Sequence, residues 1–325
     1  MKIKGISLFS GGLDSILACK VIAEQGIEIA GISFETPFFS ADRARETAMQ
    51  IGLSLEVINI TQEHLQILHS PRWGYGKNMN PCIDCRVLMF HVAGRMMEER
   101  GADFLFTGEI VGQRPMSQGK NTLLMTAKNA GVSDRILRPL SAKLLPETEP
   151  ERAGKVDRSK LFDLQGRGRK RQMEMAAAYG IFSWPPPAGG CLLTDPVFSR
   201  RLRDLFEHSP DCAIRDIELL KVGRHFRLNA ETKVVVGRNS SENSMIEKMY
   251  RLNDALLRAE SFPGPTVLVA GGGTQETLHQ AMRLCLRYSD VPRNEEAAVL
   301  LLYRGRSVSI KSQAMSSDES EALLL

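Results

Sequence analysis

The hexapeptide Ser10-Gly11-Gly12-Leu13-Asp14-Ser15 follows a short apolar run at residues 6–9 and precedes apolar residues recurring at helical spacing from Ile16 to Ile22. A glycine turn between a strand and a helix start aims several backbone N–H groups at one anion, and the helix dipole adds positive potential there. Ser10 and Ser15 can add hydroxyl donors, while Gly11 and Gly12 let the backbone approach an oxygen without a Cβ clash. Asp14 is the unusual member. A carboxylate beside polyphosphate repels it unless it holds a divalent cation, so Asp14 is assigned to Mg2+. The set reads as an ATP-phosphate loop.

A second constellation is Cys82-Ile83-Asp84-Cys85 at the entrance to a helical stretch, with Cys191 after a glycine pair more than a hundred residues later. Thiolates are favoured near a helix N-terminus, which suits metal binding or nucleophilic chemistry. Four readings compete. Structural zinc needs a fourth ligand, and His91 is poorly spaced for it. A thioredoxin-like pair lacks the matching context. A persulfide relay between two cysteines is chemically adequate, and so is a 4Fe-4S cluster on three cysteines, which leaves one iron open to hydrosulfide. Cys19, Cys212 and Cys285 sit in apolar surroundings and read as core.

Strand candidates at 6–9, 27–34, 55–60 and 104–106 alternate with helix candidates at 16–25, 41–51 and 86–100. That alternation implies an α/β fold, a doubly wound parallel sheet with ligands at the carboxyl ends of its strands. Phe34, where the second strand ends, joins the loop as a nucleotide-contact candidate, as do Thr107, Gly108, Glu109 and Gln113 beyond the fourth. Residues 137–171, with three prolines and a basic run at 166–171, read as a mobile or RNA-facing connection or a solvated charge run. Trp184 to Gly190 read as a rigid turn that delivers Cys191. From about Leu205 the texture shifts to short strands at 218–222, 225–228 and 233–236. A glycine turn at 271–273, a helix through Leu286 and a strand at 298–302 complete a smaller α+β domain. The expected organisation is a catalytic domain at 1–205, a second domain at 206–312 and a disordered tail at 313–325.

At 325 residues, two domains are expected. Lys+Arg at 42 against Asp+Glu at 38 leaves +4, so any nucleic-acid surface must be local. No stretch approaches the roughly 18 apolar residues of a membrane span and the start is no signal peptide, so a soluble cytoplasmic protein is expected. Cysteines in that compartment are ligands or thiols rather than disulfides.

The loop resembles the signature of the PP-loop ATP pyrophosphatases, which cleave ATP between the α and β phosphates. The resemblance implies attack of a substrate carbonyl oxygen on the α phosphorus, giving an adenylate and pyrophosphate. Thr107-Gly108-Glu109-Ile110-Val111-Gly112-Gln113 with Ser117-Gln118, and Leu137-Arg138-Pro139-Leu140 later, are similar to stretches of the tRNA 4-thiouridine synthases. Those enzymes carry an RNA-binding THUMP domain ahead of the PP-loop domain, for which a loop starting at Ser10 leaves no room here. Asn80-Pro81-Cys82 and Gly190-Cys191-Leu192 resemble motifs of the tRNA 2-thiouridylases, and the three-cysteine order resembles the cluster-dependent tRNA thiolation enzymes. Carbon 2 and carbon 4 of uridine both stay open, with carbon 4 preferred. Lys233-Val234-Val235-Val236-Gly237-Arg238-Asn239 with Glu242-Asn243 resembles the core of the NFACT-R RNA-binding domain. Arg215, Lys221, Arg224, His225, Arg227, Lys233 and Arg238 could neutralise phosphates there if they share a face.

These resemblances imply an ATP-dependent tRNA sulfurtransferase using ATP, Mg2+ and a 4Fe-4S cluster, with Cys82, Cys85, Cys191 and Asp14 as catalytic residues. The implied partners are tRNA and a sulfur donor, either hydrosulfide or a persulfide from a cysteine desulfurase. A homodimer is compatible with the reading. Two other readings keep the loop: a PP-loop ligase or amidotransferase on a small molecule, which has no need of the cysteines, and a non-catalytic RNA-binding protein.

Overall fold

The computed structural model describes residues 2–114, 117–184, 190–292 and 294–325, and divides into two compact units, 1–194 and 195–325. The first unit runs β1 (Lys4–Leu8), α1 (Leu13–Ala23), β2 (Glu28–Glu35), α2 (Asp42–Ile51), β3 (Leu55–Asn59), α3 (Thr61–His69), α4 (Cys82–Glu99), β4 (Phe104–Thr107), α5 (Lys120–Asn129), β5 (Ile136–Leu137), α6 (Glu149–Arg152) and α7 (Lys170–Ala178). Its sheet is parallel throughout, in the order β3-β2-β1-β4-β5. After β3 the chain crosses to the other side of β1, so β1 and β4 flank the switch point, the place at the strands' carboxyl ends where doubly wound sheets take their ligands. Their register sets Leu8 beside Thr107, which brings the loop after β1 against the turn after β4.

Helix α1 is buried nearly all round, between the sheet and α7, and so carries apolar residues on most faces. The other face of the sheet holds Phe90, Val92 and Met97 of α4 over Ile6, Ile32 and Leu105. Residues 137–171 correct the expectation of a mobile connection. Leu140, Ala142, Val156, Leu161 and Leu164 enter the core, and Thr148 and Glu151 form a capping box at α6. Of the turn expected before Cys191, residues 185–189 lie outside the described residues.

The second unit contains α8 (Pro196–His208), α9 (Ile214–Leu219), β6 (Arg224–Arg227), β7 (Lys233–Val236), α10 (Ser240–Lys248), β8 (Ala255–Ala259), β9 (Val267–Val269), α11 (Gln275–Arg287), β10 (Glu296–Tyr303), β11 (Arg306–Gln313) and α12 (Ser317–Ala322). Its sheet, β11-β10-β8-β9-β7-β6, is antiparallel at every pairing. Three sequence expectations are corrected. The unit begins at Asp195, not 206, because α8 buries Phe198, Leu202 and Leu205 within it and Asp195 caps that helix by accepting from the Phe198 N–H at 2.7 Å. Residues 218–222 are the end of α9 and a turn, since Asp216 accepts from the Ala213 N–H at 3.0 Å and starts a helix. The tail is ordered: β11 ends at Gln313, Met315 is buried, and α12 has a Ser316/Glu319 capping box tied to Arg283.

Candidate active site

The loop at Ser10 to Ser15 stands where the register of β1 and β4 requires. Gly11 has φ +73°, and a Cβ there would lie 2.6 Å from the Arg43 carbonyl oxygen. Gly108 closes the loop from the other side: an added Cβ would lie 2.4 Å from the Asp14 carbonyl carbon. Both positions admit glycine alone without displacing backbone. Gly12 is the N-cap of α1 and no side chain caps that end, so its first-turn N–H groups lack a side-chain acceptor, as an anion site requires. The serines are partly engaged within the loop, Ser15 donating to the Gly12 carbonyl at 2.8 Å and Ser10 to Ser15 at 3.5 Å. Leu13 is buried in the core and offers the loop only its backbone. Phe34 is packed among Ile6, Ile32 and Phe90, so the structure places it in the core rather than at the loop.

Asp14 is the loop's electrostatic problem. One carboxylate oxygen accepts from the Gln113 amide at 2.9 Å and lies 4.0 Å from Arg169, while the other is buried without a hydrogen-bond partner. Burial pushes its pKa up, opposed by the Gln113 hydrogen bond and by the charges of Arg169 and Arg114. An orphaned, buried carboxylate oxygen beside a phosphate-type loop fits a divalent cation, which would supply the missing partner. Arg169 belongs to the basic run expected to be a mobile or RNA-facing connection or a solvated charge run. It is instead folded back over the loop by the Gly166 N–H, which donates to the Val111 carbonyl at 2.8 Å.

Thr107 and Glu109 act differently from the loop. Glu109 is buried, and Arg138 donates to one of its oxygens at 3.0 Å while Arg86 bonds the other. The Thr107 hydroxyl donates to Glu109 at 3.2 Å. Both guanidinium groups also sit 5.9 Å from the Phe90 ring. With its oxygens occupied, Glu109 is a brace. It holds Arg86, the residue after Cys85, to the turn whose Gly108 presses on Asp14.

The cysteines come from two segments. Cys82 opens α4 and accepts from the Asn80 amide at 3.1 Å; Cys85 lies one turn on, its N–H donating to the Pro81 carbonyl at 2.9 Å. Cys191 lies in the segment whose Leu192 N–H donates to the Phe38 carbonyl at 2.9 Å. Burial pushes the Cys85 thiol up to about 12, reinforced by Cys191 and Cys82 and opposed by Arg86. Cys191 is pushed up to about 11 by burial, with Cys82 adding to it. With their thiols held protonated by burial, Cys85 and Cys191 are poor nucleophiles at neutral pH unless a metal takes their protons. Among the described residues, no three His, Cys, Asp or Glu side chains are gathered to hold a metal ion, Cys82, Cys85 and Cys191 included.

Residues 1–143 match the family model for thiamine biosynthesis protein (ThiI), and residues 223–323 match that for the NFACT protein RNA binding domain. The first match lies within the first unit and the second within the second unit. A probable tRNA sulfurtransferase of Caldanaerobacter subterraneus subsp. tengcongensis is 30% identical to it over 148 residues, 42% of this chain and 36% of that protein. The tRNA-specific 2-thiouridylase MnmA of Syntrophotalea carbinolica is 29% identical over 133 residues, 34% of this chain and 38% of the relative. The chain thus spans little more than a third of the length of these curated relatives. A predicted subunit of tRNA methyltransferase from Methanocaldococcus jannaschii matches in structure with TM-score 0.35 and 16% identity, over 54% of this chain and 76% of that one.

The first unit, residues 1–194, holds every site residue named above. In the second unit most of the cations expected to meet phosphates have carboxylate partners. Arg215 pairs with Asp254, Lys221 with Glu218, Arg238 with Glu242, and both Arg227 and Lys233 with Asp204. His225 is buried against the Val222 carbonyl, and Arg224 lies over the Tyr288 ring at 4.7 Å. The Gly237-Arg238-Asn239 motif builds a helix start: Asn239 caps α10 at 3.0 Å, and a Cβ on Gly237 would meet Asn243 at 2.0 Å. Among the described residues no helix is long and apolar enough to cross a membrane.

Proposed function

We propose that the chain is an ATP-dependent tRNA sulfurtransferase that adenylates a uridine carbonyl oxygen and replaces that oxygen with sulfur. The observation that carries this reading is the brace from Cys85 through Arg86 and Glu109 to Gly108 and Asp14, which ties a phosphate loop to a cysteine constellation in one unit. A small-molecule ligase has use for the loop alone. The relatives with tRNA in their names, and the RNA-binding family of the second domain, support the same direction.

In this reading the N–H groups at the start of α1 bind the ATP phosphates, and Asp14 would hold Mg2+, which when bound supplies positive charge to the leaving pyrophosphate. Arg169 and Arg114 lie close enough to influence Asp14 and add positive charge where pyrophosphate leaves. The uridine oxygen attacks the α phosphorus, the α–β anhydride bond breaks, and pyrophosphate departs. Sulfur then bonds to the activated carbon and AMP leaves with the original oxygen. Cys82, Cys85 and Cys191 would hold a 4Fe-4S cluster, which when bound supplies an open iron for hydrosulfide; a persulfide donor is the other route for the sulfur. Carbon 4 is the preferred position, on the Thr107 to Gln118 stretch.

Pyrophosphate release from ATP should depend on added tRNA and be lost in Asp14→Ala. Release independent of tRNA, or unaffected by that substitution, contradicts the assignment. Anaerobically prepared protein should carry roughly four irons per chain and absorb near 400 nm, at about the level typical of such clusters, and Cys191→Ala should lose both.

A further inference from the structure

Between α3 and α4 runs Pro71-Arg72-Trp73-Gly74-Tyr75-Gly76-Lys77-Asn78-Met79-Asn80-Pro81, in which aromatic and basic residues interleave. Its anchoring is unusual for a surface loop. Asp84, the residue between the paired cysteines, is buried and spends its carboxylate on the loop, accepting from the Arg72 N–H at 2.8 Å and the Trp73 N–H at 3.3 Å. Asn78 donates from its side chain to the Thr194 carbonyl at 2.7 Å, and the Thr194 N–H donates to the Cys191 carbonyl at 3.0 Å. Asn80 accepts from the Asn78 N–H at 3.2 Å and donates to Cys82. Gly76 is pinned as well, since its N–H donates to the Asn80 carbonyl at 2.9 Å and a Cβ there would lie 2.3 Å from the Asn80 amide. The loop is therefore fastened to both cysteine-bearing segments.

What the loop presents is a partly exposed aromatic surface. Trp73 is half-buried, and the Arg72 guanidinium lies over its ring at 4.8 Å. Tyr75 is 41% exposed, a large apolar side chain left at the surface, and Lys77 is exposed beside it. Aromatic rings with neighbouring cations are how proteins hold unstacked bases of single-stranded RNA. Chemistry on a base also requires that base to leave its stack.

We propose that this loop is a base-stacking platform on which Trp73, backed by Arg72, receives an unstacked nucleotide of the RNA substrate beside the cysteines, with Lys77 meeting the adjoining phosphate. The inference rests on the tRNA reading above. Asp84 is then a positioning residue that fixes the platform relative to Cys82 and Cys85.

The chain has two tryptophans, Trp73 and Trp184, so Trp184→Phe leaves Trp73 as the sole indole reporter. Titrating that variant with an unmodified tRNA transcript should quench its emission with the same midpoint as filter binding, and a single-stranded uridine oligonucleotide should quench it at higher concentration. In the otherwise native chain, Trp73→Ala should raise the KM for tRNA by roughly 5- to 100-fold, the scale of one lost stack, with little change in the KM for ATP, and Trp73→Phe should recover most of the loss. Saturable tRNA binding with unchanged emission and unchanged KM in Trp73→Ala would overturn the platform while leaving the tRNA reading intact. Quenching by a protein sulfur donor but not by RNA would reassign the loop and overturn it equally. Absence of tRNA binding by the native chain would overturn both proposals.

Discussion

Each unit buries one carboxylate between two cations, and the two clusters serve different ends. In the first unit Glu109 joins Arg86 of α4 to Arg138 beyond β5, at the carboxyl ends of the strands. In the second, Asp204 of α8 takes Arg227 at 2.6 Å and Lys233 at 2.9 Å from the β6–β7 hairpin. The same chemistry is a brace for reactive groups in one place and a weld between helix and hairpin in the other. Position relative to the strand ends, rather than the charges themselves, separates the two roles.

The largest expected effect tests that separation. Asp204→Ala strands two cations in a buried setting and should cost about 3–5 kcal/mol of second-unit stability, read as a lowered unfolding midpoint, with tRNA-independent properties of the first unit retained. Glu109→Gln should destabilise the first unit on the same scale and also remove thiolation. Equal loss of activity in both variants would erase the distinction.

A pH effect sharpens it further. His64 is buried beside Phe38 and Phe39 with both ring nitrogens unpartnered, and burial lowers its pKa to about 4 from 6.5. The folded state thus binds fewer protons than the unfolded chain, so stability is full above pH 6.5 and is lost as pH falls from there through 4. The loss should be on the order of 3 kcal/mol for this histidine. His64→Leu should flatten the acid limb of the first unit's unfolding midpoint in that window. An unchanged limb would locate the acid sensitivity elsewhere. The smallest effect concerns the tail: Ser316→Ala removes the α12 cap and should cost about 1 kcal/mol of second-unit stability, whereas a disordered tail would show none.

The parallel sheet, the loop at Ser10 to Ser15 and the patterned cysteines were legible in the sequence because each is a local signal: alternation, a glycine turn before a helix, a C-x-x-C spacing. What was hidden depends on partners distant in the chain. Nothing near Glu109 announces Arg86 or Arg138, and Arg169 reads as part of a solvated run until the pairing of Val111 with Gln165 folds it over Asp14. The cations at 215–238 looked available for RNA because their acids, Asp204 and Asp254 among them, lie in other elements. The tail looked disordered by composition, yet Ser316, Glu319 and Arg283 give its acidic residues partners. Asp84 was the one overlooked residue with a local signal, standing between the two cysteines.

The coupling of loop to cysteines is tested most directly by following both halves of the reaction in Cys191→Ser. With ATP, Mg2+, unmodified tRNA and sulfide under anaerobic conditions, the native chain should form thiouridine, seen by nucleoside mass spectrometry, together with pyrophosphate and AMP. The variant should still release pyrophosphate in a tRNA-dependent manner but form no thiouridine. Thiouridine formation at the native rate in Cys191→Ser would contradict the account.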